Sequence, residues 1–202
     1  MQSLFPFPSL GYTGTMARWE PDAETRLQQA AMDLFVERGY DKTTVADIAR
    51  RANLTERTFF RYFADKREVL FARSHLLQEF VSEAVESSQS EDPLESVVGA
   101  FESAAADFFD KRAEFSRRRR DIINASPELH ERELNKLVRM TAGIASSLVK
   151  RGVDADRARM AAEAGMLVFR VAFDRWAGST EGFLADYLRS ALAELRSSLI
   201  PH

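Results

Sequence analysis

From Leu27 to Leu195 the apolar residues return every three or four positions, and no stretch alternates apolar and polar in the manner of a strand. A chain patterned this way can bury its apolar surface only by packing helix on helix. Leu27, Ala30, Ala31, Leu34 and Phe35 mark the first stripe, and Gly39 after Arg38 supplies its stop. Thr44 with Asp47 three residues on predicts a reciprocal cap for a second helix. Val45, Ile48, Ala49 and Ala52 share one face of it, and it has room for about two turns. Asn53 tolerates a left-handed backbone and so predicts a sharp turn. Thr55 then caps a third helix, with Glu56 in its first turn and Phe59 and Phe63 on its buried side. Asp65 predicts the start of a fourth, continuous helix carrying Val69, Leu70, Leu76, Leu77, Phe80, Val81 and Val85.

Ser87 to Pro93 is a polar loop. Longer stripes follow, from Leu94 to Phe109, from Leu134 to Leu148 after Pro127, from Ala158 to Trp176 closed by Gly178, and from Phe183 to Leu195. The expected fold class is all-α, with an N-terminal three-helix helix-turn-helix domain and a following helical bundle. The expected division is a flexible extension over 1–21, a DNA-binding domain over 22–66, and a ligand-binding and dimerisation domain over 67–202. The extension has apolar residues broken by prolines with no Lys or Arg before them, which is a poor secretory leader, and Met16 opens a second plausible beginning.

Charge decides which partners fit. The 202 residues carry a formal net charge of −3, so any hold on nucleic acid must be local. Between Arg50 and Arg67 six basic residues (Arg50, Arg51, Arg57, Arg61, Lys66 and Arg67) face two acids, Glu56 and Asp65. There is no cysteine, which excludes disulfides and thiolate metal sites and suits a cytoplasmic protein. No apolar run is long enough to span a bilayer. A Gly-rich phosphate loop, a Gly-x-Ser-x-Gly elbow and a metal cluster are all missing, so an enzyme ranks last and no cofactor is expected. His75 and His130 stand alone without partners at ligand spacing, so no metal is expected either.

Three short helices with a tight turn between the second and third have the layout that sets one helix in a major groove. With Phe59 and Phe63 assigned to the core, the third helix turns Arg57, Thr58, Phe60, Arg61 and Tyr62 outward. Arginine grips guanine edges or phosphates, hydroxyls reach phosphates, and Phe60 offers a surface to thymine methyls. Thr43 and Thr44 at the start of the second helix, and Lys66 just past the third, complete the expected DNA-binding set.

Three stretches carry a family resemblance: Ala30 to Tyr40 (AAMDLFVERGY), Thr43 to Ala49 (TTVADIA), and Leu54 to Lys66 (LTERTFFRYFADK). In that order and spacing, residues 24–70 resemble the N-terminal domain of the tetracycline-repressor (TetR) family. Asn53 stands where such proteins often carry Gly. The resemblance covers about a quarter of the chain at motif level. It implies a homodimer on a palindromic operator, usually repressing a nearby gene and relieved by a small ligand. It also implies a pocket, for which Phe101, Phe108, Phe109, Met140, Met166, Phe169 and Phe173 are the candidates, and whose aromatic character favours a lipophilic effector. The last two helices are expected to dimerise through small residues, Ala161, Ala162, Gly165 and Ala191. The run Arg117 to Arg120 reads as a solvated face with salt bridges, from which one arginine can turn inward to a ligand carboxylate or phosphate. The rival readings are a helical protein–protein adaptor without DNA binding and a ligand-dependent activator.

Overall fold

A computed structural model describes residues 22–199; the expected extension over 1–21 lies outside them. The described residues form ten α-helices and no strand. The first, α1 (Ala23–Arg38), is followed by two short ones, α2 (Val45–Arg51) and α3 (Glu56–Tyr62). Local chemistry sets their ends. Asp22 caps α1 by accepting from the Thr25 N–H, and Gly39 ends it at φ 85°. Thr44 and Asp47 cap α2 reciprocally. Asn53 turns the chain at φ 54°, a left-handed conformation that costs most side chains about 1–2 kcal/mol. Thr55 caps α3 by accepting from the Thr58 N–H.

The expected single helix from Asp65 to Val85 is instead two. The short α4 (Glu68–Phe71) is separated by a turn at Ala72–Arg73 from α5 (Ser74–Ser87). The break is made by tertiary contacts. Arg119 donates its Nε hydrogen to the Leu70 carbonyl at 2.7 Å, and Phe71 lies beneath both the Arg119 and the Arg132 guanidinium, 5.0 and 4.8 Å from its ring centre.

Beyond α5 come α6 (Pro93–Ala104), α7 (Ala113–Asn124), α8 (Pro127–Lys150), α9 (Ala155–Gly178) and α10 (Leu184–Ser198). The stripe read as one helix to Phe109 widens into a π-turn over Ala105–Phe109 and a 3-10 turn over Asp110–Arg112. Such wide turns re-aim side chains and recur at functional sites.

Two apolar cores result. In one, α9 packs against α6, α8 and α10, while α5 packs on α6 and α8. Gly165 lets α9 approach α6 closely, since a Cβ there would sit 2.4 Å from Val97 Cγ1. The other core joins Leu27, Leu34, Phe35, Ile48, Phe59 and Phe63 to Val69, Leu70 and Phe71 of α4, and is closed by Ile122, Ile123 and Leu129 of α7 and α8. The three N-terminal helices are thus seated directly on the bundle.

Candidate nucleic-acid interface and effector cavity

Phe59 and Phe63 are buried, tilted against each other with ring centres 5.4 Å apart. This anchors one side of α3 and forces the other outward. There Phe60 is 55% and Tyr62 39% exposed, large fractions for aromatics in a folded chain. Arg57 and Arg61 are exposed beside them. Among the described residues neither arginine pairs with a carboxylate. Arg61 donates to the Tyr62 hydroxyl at 3.0 Å and lies over its ring, which holds both at one edge of the helix. Thr58 is half-buried, its hydroxyl 3.0 Å from that of Thr55.

The other three expected contacts are placed differently. Thr43 is 1% exposed; its hydroxyl donates to the Gly39 carbonyl at 2.9 Å and lies 3.3 Å from that of Leu34, so it locks the α1–α2 turn and offers a duplex no side chain. Thr44 is exposed, but its hydroxyl and backbone N–H are both spent on Asp47 in the reciprocal cap. Lys66 points back into the domain, donating to the Tyr40 and Thr43 carbonyls and lying 4.1 Å from the centre of the Tyr40 ring. Burial pushes the Tyr40 phenol up to about 12, so it stays neutral under that ammonium.

Of the six basic residues between Arg50 and Arg67, Arg51 forms a two-bond pair with Glu37, and Arg67 pairs with Asp65 and Glu128. What faces outward unpaired is therefore narrower than the sequence charge suggests, and it centres on Arg57 and Arg61. Lys42, exposed one residue before Thr43, is a cation the motif reading passed over.

The second feature is a cavity of about 460 Å³ where α5, the π-turn, α7 and α8 meet. Phe108, Phe109 and Phe173 wall it, together with Leu77, Phe80 and Phe115. A smaller chamber of about 170 Å³ shares Leu77, Phe109, Arg119, Lys136 and Phe173 with it and adds Met140 and Phe169. Phe101 and Met166 line neither. Phe101 stacks on Phe169 at 4.3 Å inside the packed core, and Met166 is buried with it, so these two expected pocket residues are core.

Arg119 and Lys136 of the shared wall form a triad with Glu133 of the smaller chamber. Glu133 accepts from Arg119 at 2.7 Å and from Lys136 at 2.6 Å. Burial alone would raise its carboxyl, but the charges and hydrogen bonds of those two cations hold it down at about 2. Burial and the nearby Arg119 charge bring Lys136 down to about 8 against the pull of Glu133.

The arginine run is not a solvated face. Arg118 pairs with Asp33 of α1 at 2.7 Å, Arg119 with Glu133 and the Leu70 carbonyl, and Arg120 with Asp121, while Arg117 lies over the Trp176 ring. Consecutive residues on a helix point in different directions, and here each direction holds a different partner.

A model described as "Bacterial regulatory proteins, tetR family" matches residues 27–72, and one described as "MftR C-terminal domain" matches residues 91–200. The chain is 30% identical over 187 residues to the transcriptional regulator TcmR of Streptomyces glaucescens, spanning 86% of this chain and 83% of that protein. The chain belongs to the TetR family. It is a DNA-binding transcription regulator and not an enzyme. The fold is also that of two solved regulators, the second of them described as a TetR-family transcriptional regulator. SmeT, the repressor of a multidrug efflux pump of Stenotrophomonas maltophilia, solved with triclosan, aligns at a TM-score of 0.62 and 17% identity, covering 89% of this chain and 90% of that one. PfmR of Thermus thermophilus aligns at 0.52 and 23% identity, covering 87% and 100%. No helix among the described residues of this TetR-family chain is long and apolar enough to cross a membrane.

The polar wall of the cavity is what the sequence did not single out. Gln28, Arg73, Arg112, Arg119 and Lys136 come from helices and turns far apart in the chain. Only the unusual density of arginine between Arg112 and Arg120 hinted at it.

Proposed function

We propose that this TetR-family chain is a ligand-relieved repressor, acting as a homodimer on a palindromic operator in the cytoplasm. The observation that carries the reading is the outward side of α3. Arg57, Phe60, Arg61 and Tyr62 stand exposed and free of carboxylates on a helix whose other side is fixed in the core. Thr58 and Lys42 complete the proposed contact surface at its margins. Residues 22–66 are taken as the reading module and 67–202 as the sensing and dimerising part.

Dimerisation is proposed through the outer sides of α9 and α10. Ala161, Ala162, Gly165 and Ala191, expected to serve that contact, are buried within the subunit. Met160 and Leu167 on α9, with Phe183 and Leu199 at the ends of α10, are the exposed apolar groups available to it. Two copies related by a two-fold axis place two recognition helices about one DNA turn apart, which multiplies specificity.

The effector is proposed to be a lipophilic molecule held among Phe108, Phe109 and Phe173. SmeT, with which the fold is shared, has been solved with the small molecule triclosan, which is consistent with ligand sensing on this architecture. The effector then shifts a two-state equilibrium, lowering DNA affinity by no more than its own preference for the released state.

The test is selection of bound sequences from a random duplex library, with sedimentation of the free chain and of the complex. The expected result is an inverted repeat bound by two chains. Recovery of no sequence, with the folded chain sedimenting as a monomer, refutes the reading and favours the adaptor.

A further inference from the structure

The larger cavity is apolar over most of its wall, yet its charges do not balance. Arg73, Arg112, Arg119 and Lys136 line it, against the carboxylates of Glu83 and Asp107. Asp107 is spent on Lys111 at 2.5 Å, and Glu133 serves both Arg119 and Lys136. Arg73 and Arg112 are left. Among the described residues neither lies within ion-pair distance of a carboxylate, and Glu24 on α1 pulls on Arg112 only from beyond that distance. Glu83 lies on the exposed side of α5. Arg112 is half-buried, lies 4.3 Å from the centre of the Phe115 ring, and its pKa is lowered by burial and by the like charge of Arg73. Two like charges beside an apolar cavity repel each other, and an anion between them removes that repulsion.

Arg112 also leads out of the cavity. It donates to Gln28 Oε1 on α1 at 2.8 Å, and the same Gln28 amide donates to the Val69 carbonyl of α4 at 3.1 Å. Gln28 therefore ties α1 to α4 while its oxygen is held by an arginine that lines the cavity.

We propose that the effector is an apolar molecule carrying one anionic group, carboxylate, phosphate or sulfonate, which is received by Arg73 and Arg112 and draws Arg112 away from Gln28. The proposal rests on the repressor reading and names the ligand class and trigger of the same site. An anion adds to the guanidinium a full Coulomb attraction that a neutral amide oxygen lacks and can accept two parallel N–H bonds, so it outcompetes Gln28 for Arg112. The apolar body lies against Phe80, Phe108 and Phe173 in a volume of the size that holds drug-sized ligands. Losing Arg112 unfastens the Gln28 bridge, and α1 and α4, which seat α3, are then free to shift.

The experiment compares two fluorescent probes on the full chain. 1-Anilinonaphthalene-8-sulfonate carries an anion, and N-phenyl-1-naphthylamine is its uncharged counterpart. The sulfonate is expected to bind at least about tenfold more tightly than the neutral probe, a difference of about 1.4 kcal/mol. In the Arg73→Gln/Arg112→Gln double variant the advantage disappears while the neutral probe binds as before; Arg112→Lys, which keeps the charge, retains most of it. Equal binding of the two probes by the native chain, or an unchanged sulfonate advantage in the double variant, overturns the anion site. Thermal unfolding of each variant shows whether it is folded, and if the double variant is not, Arg73→Gln alone, at an exposed position, carries the comparison. For the trigger, the selected duplex is titrated with and without saturating sulfonate. The native chain is expected to lose at least about tenfold in DNA affinity, and Gln28→Ala to bind the probe with little further loss of duplex. A Gln28→Ala chain that responds as the native one does overturns the trigger. If the native chain binds no duplex at all, the repressor reading fails, while the two-probe comparison still decides the anion site.

Discussion

Replacing Glu133 by Gln tests the buried triad it forms with Arg119 and Lys136. The carboxylate is only 19% exposed and holds two cations, Arg119 at 2.7 Å and Lys136 at 2.6 Å. Its carboxyl lies at about 2 against an ordinary 4.5, so the folded state favours the charged form by about 3 kcal/mol. The figure agrees with the roughly 3–5 kcal/mol lost when a buried pair loses one member. Lys136, already down at about 8, falls further in the variant and sheds its proton near neutral pH, which limits the loss to the lower end of that range. The sign follows from linkage. A carboxyl whose folded pKa lies below its unfolded one contributes stability that is complete above the unfolded value and is lost as pH falls through the folded one. Thermal unfolding is therefore expected to show Glu133→Gln melting roughly 6–12 °C below the native chain at pH 7, at about 2–4 °C per kcal/mol for a chain of this size. The gap closes as pH is lowered from about 4.5 towards 2. Equal melting at pH 7, or a gap that is the same at pH 3 as at pH 7, refutes the reasoning.

Other perturbations have equally definite outcomes. Gly165→Ala drives a methyl into Val97 and is expected to cost about 1–3 kcal/mol, read as a lower denaturant midpoint, without altering the probe preference of the cavity. Thr43→Val removes a buried hydroxyl and leaves the Gly39 carbonyl without it; it is expected to cost about 1–3 kcal/mol in unfolding free energy and to weaken duplex binding only in proportion to the unfolded fraction. Asn53→Gly, at φ 54°, is expected to be neutral or to stabilise the fold slightly, whereas Asn53→Val loses about 1–2 kcal/mol, both read by denaturant titration.

What the sequence could disclose was chemistry that acts within a few residues. Gly39, Thr44 with Asp47, Asn53 and Thr55 act as expected because each satisfies backbone groups of its own turn. The buried Phe59 and Phe63 follow from helical spacing alone. The break between α4 and α5 left no local mark, because Ala72 and Arg73 are no breakers and the turn is held by Arg119 from α7. The π-turn that carries Phe108 and Phe109 to the cavity is likewise invisible in a stripe that keeps its period. Periodicity cannot separate an aromatic that walls a cavity from one that fills a core, which is why Phe101 and Met166 resembled Phe109 and Phe173. Nor can it say whether a hydroxyl faces out, which is why Thr43 resembled a phosphate contact. The arginine run was legible as charge and illegible as wiring, because its partners lie on α1, α4, α8 and α9.

The most direct measurement is the salt dependence of duplex affinity for the native chain and for Arg57→Ala/Arg61→Ala, followed by fluorescence anisotropy on a selected duplex. The native affinity is expected to fall steeply with salt, and the variant, still folded, to bind at least about tenfold more weakly with a slope shallower by about two per subunit. A variant whose affinity and slope match those of the native chain would contradict the claim that the exposed side of α3 meets the DNA.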